Sequence, residues 1–212
     1  MKLLTLVPSP NNVKVRVALA YKGLEYEEIP QDPANRSAVL ELSRQALTPV
    51  LEDDGVRMFD SGAILRYLHA NFPGPALFPE DYEAMKKVEN WEAFARYGVK
   101  DSLGAMFGMS LGRVEVTEEA VAAANAALMA HTESLEGKLQ KSDWLVGDSM
   151  TAADITLASV LIYNVLTDHP VTQATFFGPT FTKLFALDPA SRSATHAWVR
   201  RVVAHDAWLA QG

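Results

Sequence analysis

The spacing of apolar residues divides the chain into two unequal parts. Leu3 to Val7 is a compact apolar run suited to a buried strand, ended by Pro8-Ser9-Pro10. Val13, Val17, Ala20, Tyr21 and Leu24 then recur at i, i+4, i+7, i+8 and i+11, which marks one face of a helix. Pro10 falls near the first helical turn, where a missing N–H costs little, and Gly23 stops the helix. Glu25 to Ile29 reads as a charged strand near a sheet edge. Strand, helix and strand in such close succession make a βαβ unit, which predicts parallel strands and a right-handed crossover. Arg36 to Ser43 is a weaker helical segment. Val50-Leu51-Glu52, the turn Asp53-Asp54-Gly55, and Val56 to Phe59 predict a hairpin with Asp-Gly as its turn signal. Asp60 and Ser61 cap a helix that runs through Ile64, Leu65 and Leu68 to about Phe72. The order to this point is βαβαββα.

Pro73-Gly74-Pro75, with Pro79 close behind, is a stretch no regular element can cross, so the domain boundary is expected there. The expected domains are residues 1–74 and 80–212, an α/β unit followed by an all-helical one. A long helix or helix pair is predicted from Tyr82 to about Leu111, and another, rich in alanine, from Thr117 to Leu139. Thr151 to Thr167 is apolar on nearly every side, through Ile155, Leu157, Ala158, Leu161, Ile162, Val165 and Leu166. Such a helix belongs in a domain centre. Residues 168–190 read as irregular, and Ala194 to Leu209 as a closing helix carrying Trp198 and Trp208.

Composition narrows the function. Apolar residues make up 49% of the 212 positions and charged residues 21%, the balance of a globular protein. The net charge is −7, with Lys and Arg scattered, which argues against nucleic acid and against anionic membranes as partners. Cysteine is absent, which excludes disulfides, thiolate metal sites and a protein thiol nucleophile. The N-terminal apolar run is too short for a signal peptide, and no apolar stretch reaches the ~18 residues of a membrane span. A cytoplasmic location is expected. The five histidines, His69, His131, His169, His196 and His205, show no metal-ligand spacing, and no metal is expected.

Three stretches at loop–helix junctions of the first domain carry candidate chemistry. Ser9 precedes the first helix, where exposed N–H groups and the helix dipole favour an anion. A hydroxyl there can donate to a bound thiolate. Lowering a thiol pKa of ~8.5 by ~1.5 units takes ~2 kcal/mol, within the ~1.5–3 kcal/mol of one charge-assisted hydrogen bond. Ser9-Pro10 is equally an ordinary N-cap followed by proline. Thr48-Pro49 precedes the hairpin, where a trans loop proline is the common case. A cis bond would turn the Thr48 backbone outward to pair with an extended peptide. Asp60-Ser61 is a helix cap, and the same pair can hold an α-amino acid: Ser61 and N–H groups on the carboxylate, Asp60 facing the ammonium.

In its βαβαββα order the first domain resembles the thioredoxin-like half of the cytosolic glutathione S-transferases. Asn12-Val13-Lys14-Val15-Arg16-Val17-Ala18-Leu19, Thr48-Pro49 and Asp60-Ser61 sit where that family keeps its first helix, its cis-proline and its acidic-Ser pair. Trp144 to Ile155, with Gly147-Asp148 and Thr151-Ala152-Ala153-Asp154, resembles the family's buried N-capping box, a folding element. The resemblance covers nearly the whole chain and implies a serine-type member of bacterial, tau or theta character.

It further implies that Ser9 stabilises the thiolate of glutathione, with Asn11 and Asn12 as runner-up donors. Leu47, Thr48 and Pro49 would meet the cysteinyl part, and Asp60 with Ser61 the γ-glutamyl end. Glutathione would serve as co-substrate, its thiolate attacking a small hydrophobic electrophile or running a related isomerase, dehalogenase or peroxidase reaction, in a detoxifying homodimer by family habit. Phe94, Tyr97, Met106, Phe107 and Tyr163 are candidates for the electrophile's apolar wall, or else core. One departure matters. Family members often carry a lysine before the cis-proline, near the glycine carboxylate of glutathione, where this chain has Ala46-Leu47-Thr48-Pro49. Arg36 or Gln45 would have to substitute. A non-catalytic module like the gamma subunit of translation elongation factor 1 would suit that loss, although the further C-terminal domain usual there does not follow Gly212. A regulatory protein of the stringent starvation type is the third reading.

Overall fold

The computed structural model describes residues 1–6 and 8–210, without the side chains of Lys100 and Asp101. Val7, the expected end of the first strand, and residues 211–212, the expected end of the second domain, lie outside the described residues. The first domain runs β1 (Lys2–Thr5), α1 (Pro10–Tyr21), β2 (Glu27–Pro30), α2 (Ser37–Ser43), β3 (Val50–Asp53), β4 (Val56–Phe59) and α3 (Ser61–Asn71). The sheet order is β2-β1-β3-β4, with β2 parallel to β1 and the other pairs antiparallel. The charged strand β2 is therefore at an edge. Alternation along the strands sorts their side chains onto two faces. Leu3 and Leu51 join the main core with Ile64, Leu65 and Leu68, while Leu4 and Val50 meet Val39 of α2 in a smaller cluster.

The Pro-Gly-Pro stretch lies against the end of α1. Gly74 has φ 100°, and a Cβ on it would stand 2.7 Å from the Lys22 carbonyl oxygen, so the close approach requires glycine. Lys22 Nζ also donates to the Pro75 carbonyl at 3.1 Å.

Beyond it, α4 (Tyr82–Ala93) continues through a π-helical segment, Phe94–Val99, into α5 (Lys100–Ser110). Next come α6 (Glu118–Leu139) and α7 (Ala152–Val160), and residues 152–159 of α7 are all buried. The expected helix to Thr167 is broken at Leu161, and only a short α8 (Ile162–Val165) follows. Apolar spacing cannot see the cause. Asn164 is fully buried and ties this turn to another segment, its Nδ2 donating to the Phe185 carbonyl and its own carbonyl accepting from Leu187 N.

Residues 168–190, expected to be irregular, contain α9 (Pro170–Gln173) and α10 (Gly178–Leu184). Prolines at their starts and a set of Thr172, Gln173 and Thr182 side-chain hydrogen bonds hold these short turns. The closing helix α11 (Ser193–Val203) stops short of Leu209. There Asp206 turns its carboxylate onto the N–H groups of Trp208 and Leu209, offering the backbone an alternative to the helix.

The capping box at the start of α7 is the polar centre of the second domain. Asp154 is fully buried, and its carboxylate accepts from Leu145 N, Thr151 N, Thr151 Oγ1 and Trp198 Nε1 at 2.9–3.0 Å. One side chain thus fixes the loop before α7, the helix start and α11. Replacing Asp154 by alanine strands several buried donors, so a loss of about 3–5 kcal/mol is expected in urea unfolding, with Asp154→Asn losing less.

Candidate active site

A cavity of about 640 Å³ opens between the two domains. Its first-domain wall is Pro10, Asn11 and Lys14 of α1, Gln45 to Pro49 save Ala46, and Phe59 to Gly62 at the turn into α3. Its second-domain wall is Ala95 and Arg96 of the π segment, Leu103, Gly104 and Phe107 of α5, and Thr156 and Val160 of α7. Polar groups therefore line the α1 and α3 side, and mostly apolar ones the α5 and α7 side.

The sequence candidates divide. Leu47, Thr48, Pro49, Asp60 and Ser61 all reach the cavity, and the Thr48–Pro49 peptide is cis. Asp60 has φ 73°, a backbone state uncommon outside glycine that is often met at functional sites, and its Oδ1 caps α3 on Ala63 N at 2.9 Å. Of the three donor candidates, Asn11 is on the wall. Ser9 is half-buried at the N-cap of α1, makes no side-chain capping bond, and does not line the cavity. Asn12 is buried; its Nδ2 donates to the Leu6 carbonyl at 2.7 Å and to Thr48 Oγ1 at 3.1 Å, which joins the β1–α1 loop to the cis-proline loop.

Of the apolar wall candidates, Phe107 lines the cavity. Phe94 packs edge-on against Trp91 and His131, Tyr97 is 69% exposed, and Met106 is fully buried core. Tyr163 is core as well, edge-on to Phe107 and Phe177 and tilted against Phe181. Burial raises its phenol pKa, so it stays protonated, and its hydroxyl donates to the Pro8 carbonyl at 2.9 Å. A second-domain side chain thus holds the residue before Ser9. Neither proposed substitute for the missing lysine supplies a cation to the wall: Arg36 donates to the Pro33 and Ala46 carbonyls, and the Gln45 amide is bonded within its own loop.

Two cations absent from the sequence candidates line the cavity, Lys14 and Arg96. Lys14 sits three residues beyond Asn11, on the same helix face, so spacing could have found it. Arg96 had no such signal, because its place depends on how the domains pack. Lys14 Nζ donates to Ser61 Oγ at 3.1 Å, and Ser61 Oγ donates to Asn11 Oδ1 at 3.2 Å. Burial, with Arg96 and Arg66 nearby, brings the Lys14 ammonium down to about 8, against the opposing pull of Glu92 and Asp60.

Removing the hydroxyl of Tyr163 tests the contact between domains. Tyr163→Phe keeps the ring and leaves the Pro8 carbonyl without its donor, so a loss of about 1–2 kcal/mol is expected in denaturant unfolding.

The sequence matches the model for the glutathione S-transferase N-terminal domain over residues 3–76 and that for the C-terminal domain over residues 92–206. A probable glutathione S-transferase of Solanum tuberosum is 31% identical over 77% of this chain and 72% of its own length. The probable glutathione S-transferase GSTU6 of Oryza sativa subsp. japonica is 28% identical over 98% of this chain and 86% of its own. Among solved structures, a glutathione S-transferase of Methylobacterium radiotolerans in complex with glutathione sulfonate superposes with a TM-score of 0.71, at 25% identity over 96% of this chain and 90% of that one. With both domains matched in order across most of its length, the chain belongs to the glutathione S-transferase family.

Proposed function

We propose that this protein is a glutathione transferase that ionises the thiol of bound glutathione and directs it at a small hydrophobic electrophile. The observation that carries the reading is a single cavity with a polar wall from α1 and α3 and an apolar wall from α5 and α7. A tripeptide with charged ends suits the first and an apolar electrophile the second. The solved relative that holds glutathione sulfonate supports the same ligand class. In this reading the γ-glutamyl end lies at Asp60 and Ser61, the cysteinyl part along Thr48, and the sulfur at the start of α1.

Asn11, on the cavity wall, is the better-placed side chain to donate to the thiolate, and Ser9 stands at the N-cap position of α1, off that wall. Neither removes the proton as a base. Each can only stabilise the anion, leaving the ligand's sulfur as nucleophile. Leu103, Phe107 and Val160 face the electrophile. Pairing of two copies and a cytoplasmic location complete the proposal. Among the described residues no helix is long and apolar enough to cross a membrane.

Glutathione at a hundredfold excess over its Kd should stabilise the fold by ~2.7 kcal/mol, visible as a higher melting temperature. No shift at millimolar glutathione would favour the non-catalytic scaffold. In the complex, ultraviolet thiolate absorbance should show Asn11→Ala raising the thiol pKa by about one unit or more, since a charge-assisted hydrogen bond is worth ~1.5–3 kcal/mol. Ser9→Ala should leave it nearly unchanged. The reverse pattern returns the donor role to Ser9.

A further inference from the structure

Lys14 is out of keeping with its surroundings. Its side chain is 7% exposed on α1, and among the described residues no carboxylate lies within 4 Å of its ammonium. Among the described residues it donates to the hydroxyl of Ser61 alone, although an ammonium has three protons to donate. The charged groups around it come from three elements. Asp60 and Arg66 face it from the start of α3, Glu92 from α4, and Arg96 from the π segment. Both acids are engaged elsewhere: Glu92 takes Arg66 at 2.8 Å, and Asp60 caps α3. The guanidinium ends of Arg96 and Arg66 come within 3.7 Å of where a Cβ on Gly62 would stand. Positive charge is thus gathered at the first turn of α3 beside one open wall of the cavity. An ammonium buried without a counterion opposes folding, because burial disfavours the charged form. The arrangement is incomplete without an anion.

We propose that Lys14 is a direct ligand for the α-carboxylate at the glutamyl end of the bound tripeptide, and that its proton makes this binding pH-dependent. The proposal rests on the glutathione reading above. Ser61 alone offers that carboxylate a hydroxyl. Lys14, behind Ser61 and in the same wall, offers a full charge, while Asp60 stays on the side of the ligand's ammonium. The α1 cation also places the site's positive charge at the glutamyl end, when none of Gln45, Leu47, Thr48 or Pro49 supplies one at the other.

The sign follows from linkage. In the unliganded protein Lys14 loses its proton near pH 8, below an unfolded lysine. A bound carboxylate favours the charged form, so above that pH binding must take up a proton and weakens as pH rises. Below it the ammonium is already charged, and affinity is flat with respect to this group.

The test uses S-methylglutathione, which has no thiol to titrate, and calorimetric Kd values for the full-length protein and Lys14→Met between pH 6.5 and 9.5. The variant should bind tenfold or more weakly at pH 6.5, and the ratio of the two Kd values should fall toward one by pH 9.5. Lys14→Arg should restore affinity, and its Kd ratio to Lys14→Met should stay constant across that range, the titration of the ligand's own ammonium cancelling in the ratio. Unliganded Lys14→Met should melt at or above the parent temperature, whereas a lysine kept for structure would leave it less stable. 4-Aminobutyryl-cysteinylglycine methylated on sulfur, which lacks the α-carboxylate, should not discriminate between the parent and Lys14→Met. A Kd ratio near one at pH 6.5, or one unchanged with pH, overturns the role of Lys14 and leaves the glutathione reading standing. Failure of the parent protein itself to bind sinks both. Should Lys14→Met not fold, Lys14→Gln carries the same comparison.

Discussion

Helix α1 is enclosed on all sides, and most of the structure is arranged around that fact. Residues 12–19 are buried, including Lys14 and Arg16 along with the valines of the apolar face. Leu3 and Leu51 of the sheet share the core cluster of α1, α3 packs against it within the first domain, and α7 and α11 pack against it from the second. A helix in that position cannot keep its charges in water, so the rest of the chain has to receive them. Arg16 is met by Glu28 of the edge strand and by Asp206 after α11, with its guanidinium 3.9 Å from the Trp208 ring centroid. Asp206 is also what ends α11. One charge on the first helix therefore shapes the last turn of the chain.

Among the described residues Lys14 receives no such partner, and the contrast between the two cations separates architecture from function. Arg16 faces groups that neutralise it and holds the domains together. Lys14, two residues earlier, points to the cavity and to the hydroxyl of Ser61. The same enclosure that makes the first charge a structural clasp leaves the second available to a ligand. Tyr163 adds a neutral tie between domains at the Pro8 carbonyl, so the loop before α1 is positioned from the second domain. The donor end of the site and its apolar wall are consequently parts of one packed unit.

The resulting cavity assigns different chemistry to its two walls. Backbone and short polar side chains from loop–helix junctions form the wall where a tripeptide's charges and sulfur would be recognised. The opposite wall is built from Leu103, Phe107 and Val160 on helices. Between them lies the π-helical segment, an irregularity common at functional sites, which brings Ala95 and Arg96 to the cavity rim.

Local sequence determined the βαβαββα order, the edge position of β2, the Asp-Gly hairpin and the capping box at Thr151 to Asp154. Each rests on interactions within a few residues, or on a periodicity that any suitable core satisfies. It also marked Thr48-Pro49 as a loop and Asp60-Ser61 as a helix cap, because turn chemistry and capping are local; that both line one cavity is a property of the packed domains. Tertiary structure alone decided the rest. The break at Leu161 depends on Asn164 reaching Phe185, and the early end of α11 on Asp206 meeting Arg16. Which apolar side chain faced the cavity was settled the same way: Met106 and Phe107 are neighbours in the chain, yet one is core and the other wall. Apolar periodicity records that a side chain leaves water. Whether it does so against protein or beside a ligand is set by which elements pack together, and that information is spread over residues far apart in the chain.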